Sequence, residues 1–260
     1  MLLTVFLAAM VVTSSCISVF AATTLHNPQV KDGVAKWERI KFGKKDGNDL
    51  TWRVLKVNKA DNSALVLMDG FAFSTTSGSK YYAMSSSPFV WKNSLIRTRL
   101  EERAASWFTN DEQNSICSTS IDGTDGDKLF ILTRDDLLNT NYGFIDGKSR
   151  AFNDTYYYLR TAKTNAIYYC NDSGDVDGDV APNKEKAGNY FISTRPAMWI
   201  KLDANFTYAG TIDSNGNVNE TEHLSESLPN TDSSDARGTF LWIFAACAVA
   251  TLTSYIFKRR

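Results

Sequence analysis

Two short acidic loops carry the oxygen-rich pattern of a calcium site. Residues 122–127 read Asp-Gly-Thr-Asp-Gly-Asp, and residues 172–179 read Asp-Ser-Gly-Asp-Val-Asp-Gly-Asp. Carboxylates at alternate positions beside glycines supply the oxygen ligands that calcium prefers. In the second loop the candidate metal ligands are Asp175, Asp177 and Asp179.

A hairpin turn explains the same loops without a metal. Asp-Gly is among the pairs most favoured in two-residue turns. Read as an EF-hand from Ser173, the second loop places Lys184 at the twelfth position, where that motif needs a bidentate glutamate. We therefore favour polar turns and expect no cofactor, with calcium as the alternative.

The two histidines of the chain limit the catalytic chemistry available to it. His26 and His223 both lie outside the motif-bearing part of the sequence, so a Ser-His-Asp or Cys-His arrangement lacks its base. A zinc site in the motif-bearing part would also lack histidine, one of the usual zinc ligands. Paired carboxylates alone can hydrolyse glycosides. We expect a protein without enzymatic activity, and the alternative is an enzyme that acts through Asp or Glu.

Arginines and tyrosines are the remaining candidates for ligand contacts. Arg160 and Arg195 each lie at the end of a predicted strand, where they would bind a ligand or pair with carboxylates and backbone carbonyls. We favour the structural role. Tyrosines at 156–158 and 168–169 would stack on sugar rings or fill one face of a sheet, and we favour the second.

Cysteine placement leaves the redox state open. Cys16 and Cys247 lie in apolar end segments, and Cys117 and Cys170 lie in the central part. In an oxidising compartment this central pair would close a loop of about fifty residues and stabilise the fold by about 3 to 4 kcal/mol. Two separate buried thiols are the alternative.

Both ends of the chain have the character of targeting segments. Residues 1–22 form an apolar run with small residues at the −3 and −1 positions if cleavage follows Ala21, which predicts a signal peptide, although no basic residue precedes the run. Residues 239–257 carry no charge and are long enough to cross about 30 Å of hydrocarbon as a helix. The basic residues 258–260 would stay in the cytoplasm. These segments predict a cell-surface protein, held in the membrane by one helix, with its globular part outside.

A five-residue motif precedes the predicted transmembrane helix. Leu228, Pro229, Asn230, Thr231 and Asp232 resemble the Leu-Pro-any-Thr-Gly sorting signal of Gram-positive surface proteins. The resemblance implies that a sortase attacks the threonine carbonyl and joins the protein to the cell wall. The fifth residue departs from the pattern, since aspartate replaces glycine. Retention in the membrane is therefore the alternative.

Composition divides the rest of the chain into a domain and a stalk. Residues 23–210 hold nearly all of the large apolar side chains outside the end segments, and we expect one extracellular globular domain there. Residues 211–238 are rich in Ser, Asn, Asp, Glu and Thr, which predicts a disordered stalk. The net charge of −1 gives no reason to expect a nucleic-acid partner.

Within the domain, short strands mix with a few helices. Apolar β-rich runs at 52–57 and 64–68 predict a hairpin, and apolar spacing over 93–108 predicts a helix. The sequence Thr109–Glu112 has the form of a capping box that opens a second helix. Further strands are predicted near residues 129–132, 156–159, 166–170 and 197–202. This irregular mixture favours an α+β fold.

Six short motifs in order resemble a bacterial domain family of unknown function found on surface proteins of Gram-positive bacteria. They lie at residues 40–43 (Ile-Lys-Phe-Gly), 52–55 (Trp-Arg-Val-Leu), 91–94 (Trp-Lys-Asn-Ser), 127–132 (Asp-Lys-Leu-Phe-Ile-Leu), 158–161 (Tyr-Leu-Arg-Thr) and 194–199 (Thr-Arg-Pro-Ala-Met-Trp). The resemblance covers about residues 37–202. Its last two motifs are similar to the closing strands of C-type-lectin-like folds, which implies a fold and no activity.

The sequence as a whole favours a surface-anchored extracellular module that binds carbohydrate or protein without catalysis. Export, tethering and the many aromatic residues support this expectation. The alternatives are an envelope enzyme that uses carboxylates and a purely structural surface protein.

Overall fold

The computed structural model describes residues 24–74, 89–163, 166–180 and 192–225. The predicted signal peptide, the sorting-type motif at 228–232 and the predicted transmembrane helix at 239–257 lie outside these ranges. Within the described ranges, no helix has the length and apolar character needed to cross a bilayer.

Strands make up most of the regular structure in the described ranges. They are β1 (Gln29–Lys31), β2 (Val34–Lys45), β3 (Asn48–Asn58), β4 (Ser63–Met68), β5 (Phe73–Ser74), β6 (Thr119–Ile121), β7 (Thr124–Asp127), β8 (Phe130–Ile131), β9 (Tyr156–Lys163), β10 (Ala166–Cys170), β11 (Val176–Val180), β12 (Ile192–Thr194), β13 (Pro196–Lys201), β14 (Thr207–Asp213) and β15 (Val218–Asn219).

The helices are few and mostly short. They are α1 (Leu95–Trp107), α2 (Asn110–Ser115), α3 (Arg134–Leu137), α4 (Gly147–Arg150) and the 3-10 helices Trp91–Asn93 and Thr140–Tyr142. The α+β expectation therefore holds only in part, because the described domain is mostly β with a few helices.

Two main sheets organise the described residues. The larger has the strand order β15-β14-β2-β3-β4-β13-β8, with β1 pairing to β2, and the smaller has the order β11-β10-β9-β12-β5. Most neighbouring strands are antiparallel, whereas β12 runs parallel to β9. A short hairpin of β6 and β7 includes the first acidic loop, which the sequence predicted as a turn.

The centre of the larger sheet is buried because apolar side chains cover both of its faces. All six residues of β4 are buried. The buried side chains of helix α1 lie against one face of this sheet. The ring of Phe108, at the end of the helix, lies 5.4 Å from the ring of Phe42 and 6.2 Å from that of Trp52. Gly43 has a φ of +75°, and a Cβ there would collide with the Phe108 ring. This glycine therefore lets the helix end approach the sheet closely.

Side-chain caps fix where two helices begin, and the sequence predicted the first of these caps, at Thr109. The hydroxyl of Thr109 accepts the backbone N–H of Glu112, whose carboxylate accepts the backbone N–H of Thr109 in return. Helix α3 begins in the same way, because Thr133 and Asp136 form the same reciprocal bonds. These caps satisfy backbone N–H groups that a helix leaves free at its first turn.

The predicted stalk is wrong for residues 211–225, because they belong to the folded domain. Strand β14 pairs along β2 and β15 pairs with β14. Thr211 and Leu224 are both buried, and the Thr211 hydroxyl donates a hydrogen bond of 2.7 Å to the Glu222 carboxylate. The sequence prediction looked for large apolar residues in this segment. Hydrogen bonds between polar side chains hold it in the fold instead.

Candidate functional site

Three arginines meet around a single carboxylate. The Arg53 Nε donates to Asp69 Oδ1 at 2.5 Å, and the Arg195 Nη2 donates to the same oxygen at 3.4 Å. The Arg39 Nε lies 3.2 Å from Asp69 Oδ2. We call these four residues the arginine cluster.

The larger sheet brings the arginine cluster together. Arg39 on β2 and Arg53 on β3 are direct partners across the two antiparallel strands. Asp69 follows the last residue of β4, and Arg195 lies between β12 and β13. The Arg195 Nε donates to the carbonyl of Met68 at 2.8 Å, which fixes that guanidinium beside Asp69.

Aromatic rings line the cluster. The Arg195 Cζ lies 4.0 Å from the ring centroid of Phe152, and the Arg53 Cζ lies 5.5 Å from it and 5.0 Å from that of Trp37. Phe71 meets the Phe152 ring edge-on at 5.3 Å. Such cation–π contacts contribute about 0.5 to 2 kcal/mol each.

The positive charge of the cluster exceeds the negative charge that contacts it. The side chains of Arg39, Arg53 and Arg195 are 17%, 5% and 0% exposed, and that of Asp69 is 7% exposed. Among the described residues, Asp69 is the acid that contacts all three arginines, so two positive charges have no counter-charge. Burying an unpaired ion costs several kcal/mol. This cost exceeds the stabilisation of about 0.5 to 2 kcal/mol from each cation–π contact.

Hydrogen bonding in the cluster is equally incomplete. Arg39 Nε, Arg195 Nη1 and Asp69 Oδ2 are buried without a hydrogen-bond partner, although buried polar groups are ordinarily paired. Burial, together with the nearby charge of Arg53, lowers the pKa of Arg195 to about 10. Within the described residues, donors of this cluster are therefore left without acceptors.

Arg160, the other predicted arginine, has a structural environment. Its Nη1 donates to the Asp122 carboxylate at 2.6 Å, and its Nε donates to the Ile131 carbonyl at 3.2 Å. It therefore ties the β6–β7 turn to β8 and shares no partner with Arg195.

The two central cysteines, whose pairing the sequence left open, are not joined in the structure. Cys117 and Cys170 are both free. Cys170 is buried at the end of β10, whereas the backbone N–H of Cys117 donates to the Trp199 carbonyl at 2.8 Å. Burial raises the pKa of Cys170 to about 11 and also raises that of Cys117. The structure therefore has two separate thiols, of which Cys170 is buried and Cys117 is partly exposed.

The second acidic loop is a turn that leads into β11. The backbone N–H of Asp175 donates to the side chain of Asn171 at 2.8 Å, while the Asp177 carboxylate accepts the Tyr169 hydroxyl at 3.1 Å. The Asp179 side chain lies outside the described part. In the described ranges, no three His, Cys, Asp or Glu side chains are placed to hold a metal ion.

The tyrosine clusters mainly fill the smaller sheet. Tyr157, Tyr158 and Tyr169 are buried, with exposures of 2% to 4%. The hydroxyl of Tyr157 donates to the Arg150 carbonyl at 2.6 Å. This burial fits the sheet-filling role that we favoured from the sequence.

A second polar cluster joins the two ends of the described domain. The buried Glu38 carboxylate accepts the backbone N–H of His26 at 2.7 Å and that of Leu224 at 3.1 Å. The ring Nδ1 of His26 and the hydroxyl of Tyr208 lie 3.1 and 3.2 Å from Oε1, and His223 stacks on the Tyr208 ring at 3.8 Å. We call this group the terminal clasp. Both histidines therefore belong to the folded domain, although the sequence placed His223 in the predicted stalk.

Sequence reasoning missed most of the arginine cluster. Arg39, Arg53 and Asp69 each looked like an ordinary charged residue beside an apolar strand. One signal was present: a charged residue at position 53 lies between apolar residues in a run predicted to be buried. A charged side chain that is buried within such a run is ordinarily paired with a group of opposite charge.

Comparison with known proteins identifies the domain family. The model of the family described as a domain of unknown function, DUF6273, matches residues 61–202. This match covers more than half of the chain, which therefore belongs to that family. No curated protein and no solved structure matches the chain.

Proposed function

We propose that this chain is a non-enzymatic ligand-binding module displayed on the cell surface. The predicted signal peptide at 1–22 and the predicted helix at 239–257 support export and membrane attachment. The sorting-type motif supports transfer to the cell wall by a sortase at Thr231.

The charge surplus of the arginine cluster is the observation that carries this proposal. A domain that needed these arginines only for stability would pair each with a carboxylate or a carbonyl. Here Arg39, Arg53 and Arg195 share the single carboxylate of Asp69, and Arg39 Nε and Arg195 Nη1 have no hydrogen-bond partner among the described residues. A partly exposed guanidinium held beside two others supports the binding of an extracellular carbohydrate or protein that carries negative charge.

An array of glycans and extracellular proteins tests this function. The full-length chain should bind a subset rich in acidic groups, and the variant Arg39→Gln should lose that binding. Arg134→Gln is the matched control, since Arg134 is 42% exposed and its ion pair is with its neighbour Asp135, outside the arginine cluster. If the chain binds nothing on either array, the remaining explanation is a purely structural surface protein.

Cell fractionation tests the proposed location. The chain should reach the envelope without residues 1–22, and an external protease should degrade its domain on intact cells. The variant Thr231→Ala should remain in the membrane fraction if a sortase acts there. Recovery of the intact chain from the cytosol would contradict export.

An envelope hydrolase is the second candidate function, and the terminal clasp is the observation that favours it. Glu38 orients the His26 ring, which lines a cavity of about 380 Å³ together with Gln29, Lys59 and Ser225. A carboxylate that holds a histidine in this way is a common arrangement for a general base. Turnover of cell-wall fragments that is lost in His26→Ala would support this function over simple binding.

A further inference from the structure

We propose that Arg39 and Arg53 together bind one divalent oxyanion of the phosphate type. This inference rests on the proposed ligand-binding function and names the chemical group that the site recognises.

The first step is the geometry of the two arginines. Arg39 and Arg53 are direct cross-strand partners, and like charges in that position repel each other. Arg53 donates to Asp69 through Nε, and neither arginine uses an Nη nitrogen in a hydrogen bond to a described residue. Two guanidinium groups with free Nη donors thus lie side by side, an arrangement that fits an oxyanion between them.

The second step is the depth of the site. Arg39 is the most exposed member of the cluster at 17%, so a ligand from solvent would reach it first. Behind it, Arg195 is fully buried and its Nη1 has no hydrogen-bond partner. The cluster therefore offers donors both at the surface and beneath it.

The third step is the amount of charge. Three guanidinium groups against one carboxylate leave a surplus of two positive charges. A carboxylate would neutralise one of them, whereas a phosphate monoester carries a charge of about −1.5 to −2 at neutral pH. The divalent ion is thus the better match.

Isothermal titration calorimetry on the full-length chain tests the proposal with inorganic phosphate, sulfate, acetate and chloride at constant ionic strength. Phosphate and sulfate should bind, and acetate should bind at least tenfold more weakly. Phosphate affinity should fall several-fold from pH 7.5 to pH 5, because the second pKa of phosphate is about 6 to 7, while sulfate affinity should not. Equal binding of acetate and phosphate would overturn the charge match, yet it would still agree with an anionic ligand.

Variants separate a real site from general salt effects, since phosphate and sulfate stabilise many proteins by exclusion. Arg39→Gln should lower phosphate affinity at least tenfold, and Arg134→Gln should leave it unchanged. The loss of Arg39 removes one ion pair of Asp69, which keeps Arg53 and Arg195 as partners, so the fold should survive, which a melting curve would verify. Asp69→Asn should strengthen phosphate binding by removing a competing negative charge. Unchanged affinity in Arg39→Gln would overturn the proposal, even if the arrays reveal another ligand.

Two probes distinguish the source of the phosphate group. Glycerol phosphate binding more tightly than inorganic phosphate would support recognition of a phosphate monoester on a larger molecule. Tighter binding of inorganic phosphate would support capture of the free ion. Failure of both to bind would overturn the proposal.

Discussion

The guanidinium of Arg195 stacks on the ring of Phe152, with 4.0 Å between its Cζ and the ring centroid. This contact joins a fully buried charge to a loop that follows α4. Phe152 therefore forms part of the surroundings of two arginines in the cluster, Arg195 and Arg53.

Replacing the stacked ring should destabilise the domain. We expect Phe152→Leu to lower the free energy of unfolding by about 1 to 3 kcal/mol, from lost packing and lost cation–π contacts. Urea unfolding measures the change. Phe206→Leu is the control, since that ring is also partly buried but lies over no arginine. Equal losses in both variants would show that the stacking adds nothing beyond packing.

Removing the charge of the terminal clasp should cost stability. Glu38 binds two backbone N–H groups through separate oxygens, and the amide of Glu38→Gln leaves one of them without an acceptor. A buried donor without a partner costs about 1 to 3 kcal/mol. Chemical unfolding and hydrogen exchange at Leu224 measure the effect. The exposed Glu220→Gln should change neither, and an unaffected Glu38→Gln would show that the clasp is dispensable.

The two central cysteines should differ in reactivity. Burial raises the pKa of Cys170 to about 11, so little thiolate forms near pH 8, and its buried sulfur is shielded from reagents. Cys117, which is partly exposed, should alkylate at least tenfold faster in the native chain. Peptide mapping would locate the label, and denaturant should remove the difference. A Cys117–Cys170 linked peptide would contradict the free thiols.

Acid should weaken the domain partly through Glu222. Hydrogen bonds from Lys36, at 2.6 Å, and from Thr211 hold the pKa of Glu222 below its usual value of 4.5. A lowered pKa in the folded state gives stability that is present above pH 4.5 and is lost as the pH falls further. The unfolding free energy of Glu222→Gln should therefore depend less on pH below 4.5 than that of the wild type. Glu102→Gln, at an exposed helix position, should keep the wild-type slope.

Truncation tests where the domain ends. A chain that stops after residue 210 loses half of β14, all of β15 and the buried Leu224, so we expect it to lose cooperative unfolding. A chain that stops after residue 225 should unfold as cooperatively as the full-length protein. Circular dichroism during heating measures both, and equal behaviour would restore the stalk prediction.

Local patterns predicted much of the fold. The hairpin of β3 and β4, helix α1 and the capping box at Thr109 each depend on residues close together in sequence, where period and turn chemistry are informative. Strands β14 and β15 were missed because their stability comes from pairing with β2 and from hydrogen bonds such as that of Thr211. Composition alone cannot reveal such distant partners.

The arginine cluster was beyond sequence reasoning for a related cause. Its members lie on β2 and β3, after β4 and before β13, and only the register of the sheet brings them together. Arg195 was a candidate because it lies at the end of a predicted strand. The charge imbalance that makes the site distinctive appears only when all four side chains are counted together.

The terminal clasp also sets how the domain would respond to mechanical load. One carboxylate holds the amides of residues 26 and 224, so the polypeptide enters and leaves the domain at neighbouring points. Tension between flanking segments would act first on those few hydrogen bonds and would leave the centres of both sheets unstrained. Inserting the domain into a longer polypeptide would thus add little to the distance between the segments on either side of it.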